Sequence, residues 1–302
     1  MKPERICLIG GTGFVGRHLV ARLARAGLPV RILARQPHRH RDLGVPLGNE
    51  VVAAGDFRAP ALAEQMDGCD TVINLIGILN EDTNRSFRSV HVELVEEIVE
   101  GAKRAGVSRY LHMSALHASE ANGASRYLRS KGEGENRAHT LGRPELRVTS
   151  FRPSVIFGPG DSFINRFAGL IRIPGPIPLA CSQSRFAPVY VGDVAEAFRR
   201  ALFLPSARGQ VYELCGPRVF TLEEIVRYVA RLTGRKKRII RLNERLSRLQ
   251  AQVLGRMPGK PFTLDNYNSL GVDSVCDTDG LGALGIRATD MDTVVPGFLT
   301  RS

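Results

Sequence analysis

The run Gly10-Gly11-Thr12-Gly13-Phe14-Val15-Gly16 follows an apolar stretch at 6–9. It opens a segment in which Phe14, Val15, Leu19, Val20 and Leu23 keep helical spacing, with Gly27 as a stop. Strand, glycine turn, helix is the order, and it constrains the fold more than any other feature of the chain. Gly10 permits the tight turn out of the strand. Gly13 lets a pyrophosphate reach the backbone with no Cβ in the way, and Gly16 lets the helix pack close on the sheet. The free N–H groups and positive end of the helix then face the phosphates. The turn therefore predicts a dinucleotide-binding protein.

Strand signals at 4–9, 29–34, 50–54, 71–76, 108–113 and 146–151 alternate with helical stretches, of which 86–105 and 125–141 are the longest. Apolar strands interleaved with helices predict an α/β fold: a Rossmann-type, doubly wound parallel sheet covered on both faces, with right-handed crossovers. After Arg152-Pro153 the texture changes. Gly158-Pro159-Gly160-Asp161 reads as a turn, and the proline-rich 173–178 as neither helix nor good strand. Residues 193–204 read as helix and 211–214 as a short strand. A helix at 221–232 opens on a capping box of Thr221 and Glu224, and the tail reads as irregular. The expected division is a dinucleotide-binding domain of residues 1–155 plus 189–215. Residues 156–188 plus 216–302 make a smaller lobe for substrate or partner.

The end of the second strand bears on the choice of nucleotide. An acid there would bind a ribose 2′-hydroxyl, but the strand ends Leu33-Ala34-Arg35, with Arg39 and Arg41 beyond. A guanidinium pairs with a 2′-phosphate, which favours NADP(H), with NAD(H) as the alternative. Asp56, before Phe57, can accept from the adenine amino group or simply form a turn. Ile76 and Gly77 end the fourth strand, where the glycine lets the chain pass close to the cofactor.

Tyr127 and Lys131, four apart, share one helix face. A lysine ammonium beside a tyrosine, with a nicotinamide's positive charge near, favours the phenolate. That tyrosine can exchange a proton with a substrate oxygen while hydride passes to or from the nicotinamide.

Charge and cysteine content add bounds. Residues 235–260 hold nine cations against Glu244, a net of +8 out of the chain's +12. An excess this local suits a surface that meets anions. The apolar residues Leu242, Leu246, Leu249, Val253 and Met257 recur there every three or four positions. They form either a membrane-interface stripe or a helix packed on the lobe. No Phe, Tyr or Trp interleaves with these cations, which argues against nucleic acid. Five scattered cysteines with no Cys-x-x-Cys pair read as reduced thiols without a metal site. Met1 to Glu4 reads as leading directly into the first strand with no secretory signal, so the expected location is cytoplasmic, peripheral on the inner face of a membrane.

Together, Gly10–Gly16, Asp56, Ser114, Tyr127 with Lys131, and Arg152 through Asp161 resemble the extended and atypical short-chain dehydrogenase/reductases, which include sugar-nucleotide epimerases and dehydratases. The segments 112–118, 125–135 and 261–266 are similar to the NADPH-binding accessory-subunit family of respiratory complex I and its bacterial relatives. The resemblance implies a bound NADP(H), with Gly10, Thr12, Gly13, Phe14, Val15, Gly16, Arg35, Asp56, Phe57, Ile76, Gly77, Tyr127, Lys131 and Pro153 around it, and Ser114, Tyr127 and Lys131 as the catalytic set. Ala115 aligns with the position where epimerases place a Ser or Thr on the substrate oxygen, with Ser114 one residue early. A methyl group cannot donate to an oxyanion. The implied function is a nucleotide-carrying or assembly-linked protein of respiratory or quinone metabolism. One alternative is an active reductase or epimerase for a carbonyl or sugar-nucleotide substrate; another is a basic nucleic-acid or membrane-surface protein on a nucleotide fold. Partners through 235–260 are an anionic membrane surface or a respiratory-complex protein.

Overall fold

The computed structural model describes residue 3, residues 5–44 and residues 48–299. Met1, Lys2 and Glu4, on which the reading of the N-terminus rests, lie outside the described residues. The first half runs β1 (Ile6–Ile9), α1 (Phe14–Arg25), β2 (Val30–Ala34), β3 (Glu50–Ala53), α2 (Ala59–Gln65), β4 (Thr71–Asn74), α3 (Leu94–Arg104), β5 (Arg109–Met113), α4 (Arg126–Gly142) and β6 (Arg147–Pro153). The second half runs β7 (Ile156–Phe157), α5 (Ile164–Arg172), β8 (Ile177–Leu179), β9 (Arg185–Phe186), β10 (Val189–Tyr190), α6 (Val191–Ala201), β11 (Val211–Leu214), β12 (Phe220–Thr221), α7 (Leu222–Leu232), β13 (Ile239–Arg241), α8 (Glu244–Arg256), α9 (Leu264–Leu270), α10 (Gly280–Ala283) and α11 (Met291–Leu299).

Seven strands form one sheet in the order β11-β6-β5-β4-β1-β2-β3, and every pairing in it is parallel. The strands are apolar along their length because both faces are covered. In β1, Ile6 and Leu8 pack with Leu19, Val20 and Leu23 of α1 and Phe198 of α6. Cys7 and Ile9 point the other way, toward Leu62 of α2 and Val95, Ile98 and Val99 of α3. The alternation of side chains along a strand thus divides one sequence run between two cores. The order reverses between β1 and β4, so the C-terminal ends of these strands frame the crevice where such sheets bind ligands.

A third core gathers Phe157, Phe167, Ile171, Phe186, Ile225, Val229 and Val295. Its helix α7 starts on the expected capping box: Thr221 Oγ1 accepts from the Glu224 amide at 3.2 Å, and Glu224 Oε2 accepts from the Thr221 amide at 2.7 Å. Three expectations need correction. The proline-rich run contains a strand, since β8 pairs in parallel with β13. That sheet has only two strands, so Pro178 interrupts no central ladder. The tail is helical in α9, α10 and α11. The cysteines are not all reduced: Cys215, just past β11, forms a disulfide with Cys276, their Cα atoms 5.9 Å apart. Glu213 Oε2 accepts the amides of Asp277 and Thr278, at 2.8 and 3.0 Å, and this draws the C-terminal segment alongside β11. Among the described residues no helix is long and apolar enough to cross a membrane.

Candidate functional site

Gly10 leaves β1 at φ +85°, a conformation that suits glycine. The turn closes with the Gly13 amide donating to the Gly10 carbonyl at 3.1 Å, and Gly13 caps α1. A Cβ on Gly16 would lie 2.6 Å from Gly11 Cα, so that glycine is required by the packing of helix on turn. Gly13 is different. It is exposed, its φ of −77° is ordinary, and a Cβ there would come no nearer than 3.4 Å to Gly10 O. The protein's own packing leaves room for a side chain that the sequence does not place. The turn therefore fits a dinucleotide pyrophosphate at the N-terminus of α1. Thr12 is half-buried in the turn and Val15 packs on the sheet. Phe14 stacks edge-on against His18, whose Nε2 lies 3.2 Å from the Pro159 carbonyl, tying α1 to the loop after β7.

Arg35 lies exposed just past β2, and among the described residues no carboxylate pairs with it. Asp56 makes the turn before α2, its Oδ1 accepting the Arg58 amide at 2.9 Å, and Phe57 packs against the α2–α3 core. At the end of β4 the Ile76 amide donates to Asn74 Oδ1 at 3.0 Å. A Cβ on the exposed Gly77 would sit 3.6 Å from His91 Nε2 and 3.8 Å from Lys131 Nζ, so the end of β4 and α4 meet at one place.

Tyr127 and Lys131 are there. Lys131 is buried and its Nζ donates to the Met113 carbonyl at 2.5 Å. Burial pulls the ammonium down to about 8, and Glu135 works against that fall. Glu135 is itself buried and held by the forked guanidinium of Arg152, at 2.7 to 3.1 Å. Burial pushes the Tyr127 phenol up to about 12. In the chain alone desolvation holds the phenol protonated, and the Lys131 proton is directed at Met113; the phenolate expected from the sequence draws on a nicotinamide's charge as well. The phenol makes no hydrogen bond to another described residue. Ser114 Oγ is buried and also lacks a partner. Ala115 packs with Ala118 and Leu128 in a small cluster beside Tyr127. Pro153 ends β6, its carbonyl accepting the Leu116 amide at 3.0 Å.

Two residues here had no role assigned from sequence. His91 sits in a π-helical turn, Ser89–Glu93, just before α3. Its Nε2 accepts the Ile78 amide at 3.0 Å, so the neutral ring carries its proton on Nδ1 and donates to Ser130 Oγ at 2.8 Å. Burial and the charge of Lys131 hold the imidazole down to about 2, and its ring stands edge-on to Tyr127 with centroids 5.6 Å apart. His91 therefore ties the loop after β4 to α4. The sequence offered no local signal for it beyond a histidine between Val90 and Val92. Asp265 of α9 caps α4, its carboxylate accepting the amides of Arg126 and Tyr127 at 2.7 and 3.1 Å. Arg166 donates to the Pro261 carbonyl at 3.1 Å, and Tyr190 packs on Phe157. The Arg185 amide donates to Asp273 Oδ1 at 2.8 Å.

A family model described as NAD(P)H-binding matches residues 10–156. The chain is 32% identical to NADH dehydrogenase (ubiquinone) 1 alpha subcomplex subunit 9, mitochondrial, of Rattus norvegicus, over 94% of this chain and 77% of that one. It is 34% identical to ceramide reductase of Caulobacter vibrioides over 78% of this chain and 73% of the relative. Among solved structures, an NADPH-dependent quinone oxidoreductase of Escherichia coli complexed with NADPH superposes with a TM-score of 0.76 at 21% identity, covering 95% of this chain and 97% of that one. MoeE5 in complex with UDP-glucuronic acid and NAD reaches 0.76 at 19% identity, covering 98% and 99%. At those identities the structures share the fold. The chain belongs to the family of NAD(P)H-binding, short-chain dehydrogenase/reductase-like proteins that includes the alpha subcomplex subunit 9 of mitochondrial NADH dehydrogenase.

Proposed function

We propose that the chain is an NADP(H)-carrying or assembly-linked protein of respiratory or quinone metabolism. The observation that carries the nucleotide assignment is Gly13: exposed, unstrained and without a neighbour that forbids a side chain, yet glycine. Gly10, Thr12, Gly13, Phe14, Val15 and Gly16 hold the pyrophosphate. Arg35 takes the 2′-phosphate, Asp56 and Phe57 border the adenine, and Ile76, Gly77, Tyr127, Lys131 and Pro153 surround the nicotinamide ribose. Residues 1–155 plus 189–215 carry the nucleotide, and 156–188 plus 216–302 face substrate or partner. The carrying role is supported by relatives that include a respiratory-enzyme subunit. It is supported too by a dyad in which the phenol stands high and the ammonium is engaged by a backbone carbonyl. The basic stretch 235–260 is read as facing an anionic membrane or a respiratory-complex protein, with the protein on the cytoplasmic side of a membrane. The disulfide and the mitochondrial relatives pull against that compartment.

A second reading is favoured by the Tyr127 hydroxyl, which meets no described partner, on a ring that stands against His91 and one helical turn from Lys131. A bound NADPH supplies a hydride there for a carbonyl carbon. Tyr127 would give its proton to the carbonyl oxygen, and Lys131, poised near 8, would return one to the phenolate and regain it from solvent. Ser114 Oγ is the remaining donor for that oxygen. Ceramide reductase among the relatives supports this reading. Tyr127→Phe distinguishes the two. In a reductase, turnover of a quinone or long-chain ketone falls by about 10²–10⁴ while NADPH affinity stays within a few-fold. In a carrier, NADPH is held without turnover and the variant keeps the cellular role. Full turnover in the variant excludes Tyr127 as proton donor.

A further inference from the structure

The basic stretch contains a helix that presents its apolar side outward. α8 sits on the lobe through its small residues: Ser247 and Ala251 are buried, and Gln250 Nε2 donates to the Pro178 carbonyl at 3.0 Å. Leu246, Leu249, Val253 and Met257 are instead 49, 53, 53 and 48% exposed. Their spacing of three and four places them on one stripe. The stripe is therefore not the face by which α8 packs on the lobe; Leu242, the fifth residue of the expected face, lies before α8 and is half-buried. Close by, Lys237 Nζ is bonded to the carbonyls of Ile173 and Gly175, in a segment where Ile173 is 60% exposed.

The charges divide in an informative way. Arg241 is paired with Glu223 at 2.6 Å and Arg248 with Glu244 at 3.1 Å. Arg235, Lys236, Arg238, Arg245 and Arg256 are exposed and have no carboxylate partner among the described residues. Arg245 and Arg256 each precede a stripe residue and so border the stripe on the same side. Their long stems can lie along an apolar surface while the guanidinium stays at the level of anionic headgroups. The stripe is wholly aliphatic. Residues 235–260 contain no aromatic side chain, so the surface offered is aliphatic rows beside these unpaired cations, the pairing that complements acyl chains under anionic headgroups.

The stripe is also continuous with the cleft. From Met257 the chain runs directly into the segment that closes over the site. Lys260 Nζ donates to the Glu81 carbonyl at 2.6 Å, Asn266 Nδ2 to the Leu79 carbonyl at 3.2 Å, and Asp265 caps the helix of Tyr127. Leu79 and Leu264, on either side of that seam, are 55 and 40% exposed.

We propose that α8 is a membrane-docking helix that seats its aliphatic stripe in an anionic bilayer, with Arg245, Arg256 and the 235–238 cations on the headgroups, and so brings the Tyr127 cleft to the membrane surface. The proposal rests on the reading of 235–260 as the partner-facing surface and is independent of the nucleotide site.

The chain contains no tryptophan, so Leu249→Trp, at an exposed position, gives a single reporter. Adding vesicles of phosphatidylcholine with phosphatidylglycerol at low salt should shift its emission to the blue, and brominated acyl chains should quench it. Pure phosphatidylcholine should do neither. Adding Arg245→Glu and Arg256→Glu to this reporter should weaken vesicle binding roughly 25-fold or more, at about fivefold per charge near an anionic surface. In the unlabelled protein, Leu246→Glu with Val253→Glu should abolish co-sedimentation. NADPH titrations on the same variants should not change, which separates failure of this proposal from failure of the nucleotide assignment. Unshifted emission with anionic vesicles at low ionic strength overturns the proposal. So does a blue shift produced by polyglutamate and not by vesicles, which would assign α8 to an acidic protein.

Discussion

Replacing Gly13 by valine and Gly16 by alanine, in separate proteins, should produce opposite losses from two positions in one turn. A Cβ at residue 16 would stand 2.6 Å from both the Cα and the carbonyl carbon of Gly11, and closer still to Gly10 O. These are backbone atoms of a turn already committed to φ +85° at Gly10, so the helix or the turn must move. Overpacking of this kind costs about 1–3 kcal/mol. At residue 13 the nearest atom to a Cβ is 3.4 Å away, so no comparable clash arises. What is lost is the preference for glycine over valine at a helix N-cap, about 1 kcal/mol or less. The valine side chain does occupy the space in front of the α1 amides. Losing one charge-assisted bond to a phosphate costs about 1.5–3 kcal/mol, a tenfold or larger rise in the NADPH dissociation constant. Thermal unfolding and calorimetric titration of both variants read the two quantities side by side. Gly16→Ala should lose mainly stability and Gly13→Val mainly affinity. Wild-type affinity in Gly13→Val would refute the placement of the phosphates. Wild-type stability in Gly16→Ala would refute the packing argument.

Arg35→Glu should remove the preference for NADPH over NADH, lowering their affinity ratio about tenfold or more, because a carboxylate repels the 2′-phosphate and accepts from a 2′-hydroxyl. An unchanged ratio sinks that role. Lys131 is expected to make folding pH-dependent. Its ammonium falls from 10.5 to about 8 on folding, so between these values the unfolded chain holds a proton that the folded chain has released, and stability from this group rises with pH. Relative to Lys131→Met, wild type should gain about 3 kcal/mol across that window, at about 1.4 kcal/mol per pH unit, read by urea unfolding. A flat difference contradicts the burial of a charged lysine. Asp265→Ala should cost about 1 kcal/mol by releasing the Arg126 and Tyr127 amides, while Ser125 Oγ keeps the Leu128 amide, and exchange at Arg126 and Tyr127 should accelerate. Unaltered exchange there would mean that α9 does not restrain the helix.

The sheet was legible because its strands are buried on both faces and read as short apolar runs between helices; strands expected at 29–34, 71–76 and 211–214 form at Val30–Ala34, Thr71–Asn74 and Val211–Leu214. Helix α2 and the tail helices escaped because they are short, and α9 buries none of its residues. The Cys215–Cys276 bond escaped because its partners are 61 residues apart and are brought together by contacts of Glu213. In the site, Tyr127 and Lys131 could be paired by helical spacing alone. The ring of His91 and the cap from Asp265 arrive from other elements, and no local pattern encodes that meeting. α8 shows the limit most clearly. Its apolar period was readable, but which way the stripe faces was not: Ser247 and Ala251 pack inward while Leu246, Leu249 and Val253 are exposed.

Direct titration of the purified protein with NADPH and NADH, followed by calorimetry, tests the central claim most plainly. Saturable binding of one nucleotide per chain, with NADPH about tenfold or more tighter than NADH, is the result that the Gly10–Gly16 turn and Arg35 require. Failure of both nucleotides to bind saturably would contradict it.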